Sequence, residues 1–234
     1  MKTLNSRTFT ARYFLIFSPI FLLLIANSFV SGTLEPIRIF FIFAVFGVAG
    51  EILMSILWNT LYERPFWVYT RGSFFRGYSS YLNFFAWGVG GYIYYLIGEY
   101  FGFPINQNSA SGFFISFFIV LSILLVLFRL VRRNKGKFEF VTIGNYIFTL
   151  IPVLATFVFV VYQEGLLAVW VILIFGLVGT LTEYLYGKVC ERILGERLWI
   201  YLHKSMDSGH FTPLAIPFFA FTGLYFSLIA SILL

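Results

Sequence analysis

Two stretches decide the fold: IFAVFGVAGEILMSILW at residues 42–58 and IFGLVGTLTEYLYGKVC at residues 174–190. Each is an apolar run long enough for a membrane helix, with one acid inside it, Glu51 in the first and Glu183 in the second. A hydrocarbon core about 30 Å thick takes about 20 apolar residues in a helix. A charged acid at the centre of such a helix costs about 2.5–3.5 kcal/mol on insertion scales. Two such acids in matched runs point to a shared role.

The rest of the chain has the same character. Of its 234 residues 60% are hydrophobic and 11% charged, against about 25% charged in a soluble domain. Such a chain cannot wet a globular surface, so a soluble cytosolic or secreted domain is excluded. The single cysteine, Cys190, excludes a disulfide scaffold. Spans are expected at 13–31, 37–61, 82–101, 112–131, 141–162, 166–188 and 212–234. With no water in the bilayer core each span must satisfy its own backbone, so helices are expected. The alternating strands of a membrane barrel are missing. Lys2, Arg7 and Arg12 before the first run also fit a signal peptide. That run, Tyr13 to Val30, is longer than the usual signal core, and we expect it to remain as a span.

Basic residues set the orientation. Seven spans put Lys2, Arg7, Arg12, Arg64, Arg71, Arg76, Arg129, Arg132, Arg133, Lys135, Lys137, Lys188, Arg192, Arg197 and Lys204 on one side, and Arg38 alone on the other. The expected location is the cytoplasmic (inner) membrane, with the N-terminus cytoplasmic and the C-terminus outside. The formal charge of +6 then reflects topology and not nucleic-acid binding. The Arg132–Lys137 cluster is suited to anionic membrane lipid.

Residues 42–97 align with 174–229 without a gap, with 13 identities. They include Gly47 with Gly179, Glu51 with Glu183, Trp67 with Trp199, Tyr69 with Tyr201, Gly77 with Gly209 and Gly91 with Gly223. Chance matches between apolar runs would be Leu, Ile and Phe, so these point to an internal repeat. The expected fold is an all-α polytopic membrane protein of seven transmembrane helices, two parallel three-helix repeats joined by a linker helix (3+1+3). The first repeat takes 1–111, the linker helix and its basic loop 112–140, and the second repeat 141–234. Parallel repeats of this kind occur among transporters. A rhodopsin is excluded, because residues 212–234 hold no lysine for a Schiff base.

Glu51 and Glu183 are read as a proton- or cation-responsive pair, the substrate- or proton-binding residues. Gly47 and Ser55 in one helix, Gly179 and Gly187 in the other, lie one turn from the acid on its own face. Small residues there allow close helix contact, and Gly91 and Gly223 are expected to do the same. The other reading is structural: each Glu accepts hydrogen bonds from a re-entrant loop, or pairs with Arg71, Arg76, Arg192 or Arg197. Trp67-x-Tyr69 and Trp199-x-Tyr201 each begin 16 residues after their glutamate. With Arg71, Gly77 and Gly209 they form either a folded gate or an interfacial aromatic anchor. His203 and His210 share one loop, and their counterparts are Arg71 and Tyr78, so no metal site is expected. No phosphate loop and no Ser-His-Asp arrangement can be assembled. No cofactor is expected and no catalytic residue is assigned.

The run Thr182-Glu183-Tyr184, Glu191-Arg192-Ile193-Leu194-Gly195, Arg197-Leu198-Trp199-Ile200-Tyr201 resembles the second half of the ABC-transporter type IV (CmpB-like) membrane family. Gly209 follows as that family's later glycine does, while Gly47, Glu51 and Arg71-Gly72 fit its first half. The family's Gly-Pro and Pro-x-Tyr-Gly elements are missing. The resemblance implies a bacterial multi-pass permease.

Taken together, the residues lead to a membrane transporter or permease subunit for a small molecule, proton-coupled through the glutamate pair. Any ATP it uses must be hydrolysed by a separate ATPase or other subunit. Two rivals stand beside it. One is an intramembrane enzyme acting on a lipid or isoprenoid, with the glutamates as acid and base. The other is a non-catalytic membrane subunit of a larger complex.

Overall fold

The structure is a computed structural model, and it describes residues 6–103, 112, 117–123, 125–126 and 143–234. Six long helices organise them: α1 (Ser6–Ser31), α2 (Glu35–Tyr62), α3 (Asn83–Tyr100), α4 (Ile143–Glu164), α5 (Leu166–Leu194) and α6 (Ile216–Leu233). Sheet is confined to four short strands, β1 (Trp67–Tyr69), β2 (Ser73–Phe74), β3 (Ser79–Ser80) and β4 (Trp199–Tyr201). The chain is all-α in class.

Among the described residues, five helices are long and apolar enough to cross a membrane: Thr8–Ser31, Glu35–Tyr62, Ile143–Glu164, Leu166–Leu194 and Pro213–Leu233. Their outward faces carry Leu15, Phe29, Val158 and Leu177, all exposed, as lipid contact requires and water would penalise. α3 has 18 residues but includes four tyrosines, Asn83 and Glu99, and is too polar to join that set. The expected span at 112–131 is helical where described, at 112, 117–123 and 125–126. Its remaining residues lie outside the described set, as do Lys2, Arg129, Arg132, Arg133, Lys135 and Lys137.

Local chemistry sets the ends. Glu35 and Pro36 open α2, where an acid suits the helix dipole and a proline wastes no hydrogen bond. The break between α4 and α5 is one residue, Gly165, at φ +75°. Its N–H donates to Val161 O at 2.9 Å, which closes α4 with the left-handed turn that glycine adopts freely.

The contacts divide the chain into two compact units. The first comprises Met1–Leu57, Pro65–Ile93 and Thr180–Pro213. Its core includes Tyr13, Phe40, Phe43 and Leu82, with Gly47, Gly88 and Gly91 seated against Trp87, Phe40 and Phe43. The second comprises Trp58–Arg64, Tyr94–Gly179 and Leu214–Leu234. There Trp58, Phe175, Leu224 and Phe226 are buried, Gly223 lies against Phe175, and Gly179 lies against Tyr94 and Phe219. Each unit draws on both sequence halves. Four of the five glycines expected to pack helices therefore seat aromatic rings, Gly47 and Gly91 against Trp87 and Phe43 in the first unit, Gly179 and Gly223 against Phe219 and Phe175 in the second.

Candidate functional site

The site lies wholly in the first unit, where the segment after α2 meets the segment after α5. β1 and β4 pair antiparallel, Trp67 opposite Tyr201, Val68 opposite Ile200 and Tyr69 opposite Trp199. The pairing continues at both ends, where Thr70 N donates to Leu198 O at 2.8 Å and Leu202 N to Phe66 O at 3.0 Å. Beyond each strand comes the same turn. Phe75 and Asp207 have φ near +47° and +46°, and 3-10 turns occupy Phe75–Gly77 and Asp207–Gly209. Phe74 pairs with Ser79 as Met206 pairs with Phe211. Gly77 and Gly209 sit at φ +84° and +97°, the left-handed region open to glycine.

Consecutive strand residues face opposite ways, so residues 67 and 69 share a face. From that register each tyrosine reaches a carboxylate 18 residues before it. Tyr69 Oη donates to Glu51 Oε1. Tyr201 Oη donates to Glu183 Oε1 at 2.5 Å and Oε2 at 2.6 Å. The alternation along each strand and the position of each acid about three turns before its helix ends make these reaches geometrically alike.

The two carboxylates are surrounded differently. Glu51 is 5% exposed. Besides Tyr69 it accepts from Ser79 Oγ at 2.6 Å and from Asn83 Nδ2 at 2.9 and 3.1 Å, and Trp87 adds to the same group. Asn83 Nδ2 also donates to Tyr69 Oη at 2.6 Å, which orders the phenol. Glu183 is half-buried, and Tyr201 is its hydrogen-bond donor among the described residues. Residues 211 and 215, which match Ser79 and Asn83 in the alignment, are Phe211 and Ala215 and cannot donate from their side chains. The carboxylates lie within electrostatic range of each other. Burial first, and then the neighbouring carboxylate, pushes the Tyr69 and Tyr201 phenols well above the ordinary tyrosine range. Both therefore stay protonated donors.

Among the described residues no arginine or lysine forms an ion pair with Glu51 or Glu183. Arg71 instead grips Glu196 in a bidentate pair at 2.6 and 2.7 Å, and Arg197 Nε reaches Glu191 at 3.1 Å. Buried His210 meets the other Glu191 oxygen at 2.6 Å through Nε2. The two Glu191 pairs fasten the second loop to α5, and the Arg71 pair fastens the first loop to the second. Trp67 Nε1 donates to Tyr78 O at 3.1 Å, and Ser55 Oγ lies 3.5 Å from the same carbonyl. Gly187 sits against Trp199 and His210.

No family model, curated protein or solved structure matches the chain.

Five participants are not legible in the sequence: Ser79, Asn83, Trp87, Tyr13 and Tyr186. Tyr13 Oη donates to Leu82 O and accepts from Tyr186 Oη at 2.9 Å, continuing the polar cluster across α1 and α5. Asn83 left one usable signal, an amide at the start of an apolar run. Tyr13 and Tyr186 left none, since interfacial tyrosines are common in any membrane helix. Among the described residues no group of three His, Cys, Asp or Glu could hold a metal ion. What the arrangement can do is accept a proton or a cation at a carboxylate and pass the change to a tyrosine on a paired strand.

Proposed function

We propose that the chain is a multi-pass permease of the cytoplasmic membrane that binds a small molecule at Glu51 and Glu183 and couples its movement to a proton or cation. In this reading two parallel three-helix repeats flank a linker helix, and the N-terminus is cytoplasmic. The supporting observation is the pairing of β1 with β4 while Tyr69 and Tyr201 hold one glutamate each. Val68 opposite Ile200 are alignment partners, so an approximate two-fold axis passes between them. Like turns after each strand, and Gly91 on Phe43 matched by Gly223 on Phe175, support the repeat as well.

The mechanism follows from charge. A carboxylate taken from water into protein carries a large desolvation penalty unless it is neutralised or richly hydrogen-bonded. A proton or cation arriving at one glutamate removes the charge to which its tyrosine donates. That weakens the hold of the strand on the helix, and the paired strand feels the change through the shared ladder. The strand pair is the gate. The resemblance to the ABC-transporter type IV (CmpB-like) family agrees with a permease, with membrane lipid around it and a separate ATPase or other subunit as its partner.

Native mass spectrometry in lipid nanodiscs tests this, comparing wild type with a Glu51→Gln/Glu183→Gln double variant. A small molecule carried unchanged by wild type and lost from the folded variant is expected. A chemically altered lipid would favour the intramembrane enzyme. Identical spectra, or a protein companion kept by both, would favour the non-catalytic subunit.

A further inference from the structure

The two halves of the site are unequal, and both inequalities fall on the same side. Glu51 is buried and accepts from Tyr69, Ser79 and Asn83. A carboxylate offers about four lone-pair sites, and among the described residues Glu183 receives only the Tyr201 hydroxyl. It is also the less buried of the two. The tryptophans differ likewise. Trp67 Nε1 has its carbonyl at Tyr78, whereas Trp199, only 4% exposed, has a buried Nε1 with no acceptor among the described residues. A Cβ placed on Gly187, one turn from Glu183, would lie 3.2 Å from Trp199 Cζ2 and Cη2. That indole edge thus lies against α5 at Gly187, beside His210 Nδ1, and Trp199 shares a face of β4 with Tyr201, which holds Glu183. Around it, Tyr186 stacks on Trp199 with centroids 5.4 Å apart, and the Tyr69 ring is 6.4 Å away.

We infer that Glu183 and Trp199 form the ligand-contacting half of the site, and that the ligand is a small organic ammonium ion carrying a neutral oxygen acceptor. This rests on the permease reading and names its substrate class. The carboxylates, with no basic partner among the described residues, call for positive charge. Indole and phenol faces favour a diffuse organic cation. A hard metal ion would want six or more oxygen ligands, and no group able to hold a metal occurs among the described residues. A proton alone would neutralise Glu183 but leave the Trp199 N–H unanswered, and an unsatisfied buried donor costs about 1–3 kcal/mol. A hydroxyl or carbonyl on the ligand satisfies it. An anionic acceptor is repelled by both glutamates. Glu51, already saturated, orders Tyr69 and acts on the ligand through its charge.

The test is isothermal titration calorimetry on the full chain in lipid nanodiscs, with ethanolamine, choline, tetramethylammonium, ethylene glycol and potassium chloride as probes. Ethanolamine and choline should bind, while ethylene glycol and potassium should not. Glu183→Gln should weaken both amines about tenfold or more, and Glu51→Gln should weaken them less. Trp199→Phe should weaken choline and tetramethylammonium alike through loss of the indole face, and choline about two- to tenfold beyond that through loss of the N–H. Equal binding of ethylene glycol and ethanolamine, no amine binding to folded wild type, or a larger loss in Glu51→Gln would overturn the inference. Should Glu183→Gln fail to fold, the Trp199→Phe comparison decides alone. A neutral or anionic molecule found at the glutamates by mass spectrometry would remove the ammonium class and leave the permease reading intact. Amine binding as expected beside an altered lipid would do the reverse.

Discussion

Tyr69 and Tyr201 each hold a phenol hydroxyl against a carboxylate in a buried cluster. Ionising either phenol would set two negative charges side by side, so the folded protein retains the proton more firmly than the unfolded chain does. The linkage has a definite sign. Folded values raised above the unfolded value give stability that is complete below about pH 10, the ordinary tyrosine value. That stability is lost as pH climbs from there towards the folded values. Thermal unfolding of the detergent-solubilised protein should therefore show a melting temperature that falls above about pH 10. Tyr69→Phe/Tyr201→Phe should flatten that fall. An identical alkaline slope in wild type and variant would mean the phenols titrate as they do in water.

At the scale of elements, glycine acts as a seat for an aromatic ring. A Cβ on Gly91 would overlap Phe43, and one on Gly223 would overlap Phe175, whereas one on Gly90 would meet nothing within 4 Å. Gly91→Ala should destabilise by about 1–3 kcal/mol, as overpacking does. Gly90→Ala, one residue away on the same helix, should be neutral or slightly stabilising, since alanine favours helix by about 1 kcal/mol over glycine. Melting temperatures of the two variants side by side check the contrast. The strand pair gives a second prediction at this scale. Directly opposed antiparallel residues have Cα atoms about 4.5–5.5 Å apart, inside the range a disulfide spans. Val68→Cys/Ile200→Cys should cross-link on oxidation, seen as a reductant-sensitive mobility shift after cleavage between the loops. If the paired strands are the gate, the oxidised protein should also lose exchange of its bound molecule and regain it on reduction.

For the whole molecule, hydropathy and charge point to the membrane class directly. Sixty per cent hydrophobic residues in long uninterrupted runs leave helices as the economical answer. Five described helices meet the length and apolarity of a span, while α3 falls short because its tyrosines, Asn83 and Glu99 dilute an otherwise apolar segment. The boundary between α4 and α5 shifted by a residue or two, from Gln163–Glu164 to Gly165, because the last turn stays helical until glycine permits a left-handed residue. The loops were partly legible. Trp-x-Tyr at equal spacing marked Trp67, Tyr69, Trp199 and Tyr201, which occur on β1 and β4. Arg71 reads from the sequence as a gate residue or as a partner for a glutamate in the bundle, and its partner in the structure is Glu196 in the second loop.

The sequence by itself determined the membrane class, the helix-forming runs, the two acids inside them and the aromatic pairs that follow. Those depend on composition and short-range spacing, which a linear chain states directly. Only the tertiary structure decided that β1 pairs with β4 across more than a hundred residues, because strand register is settled between segments and not within one. It alone decided that Ser79 and Asn83 join Tyr69 in saturating Glu51 while, among the described residues, Glu183 and Trp199 keep hydrogen-bonding capacity free. Identical residues in identical spacing acquire different surroundings when their neighbours differ, and a buried carboxylate is governed by the donors around it.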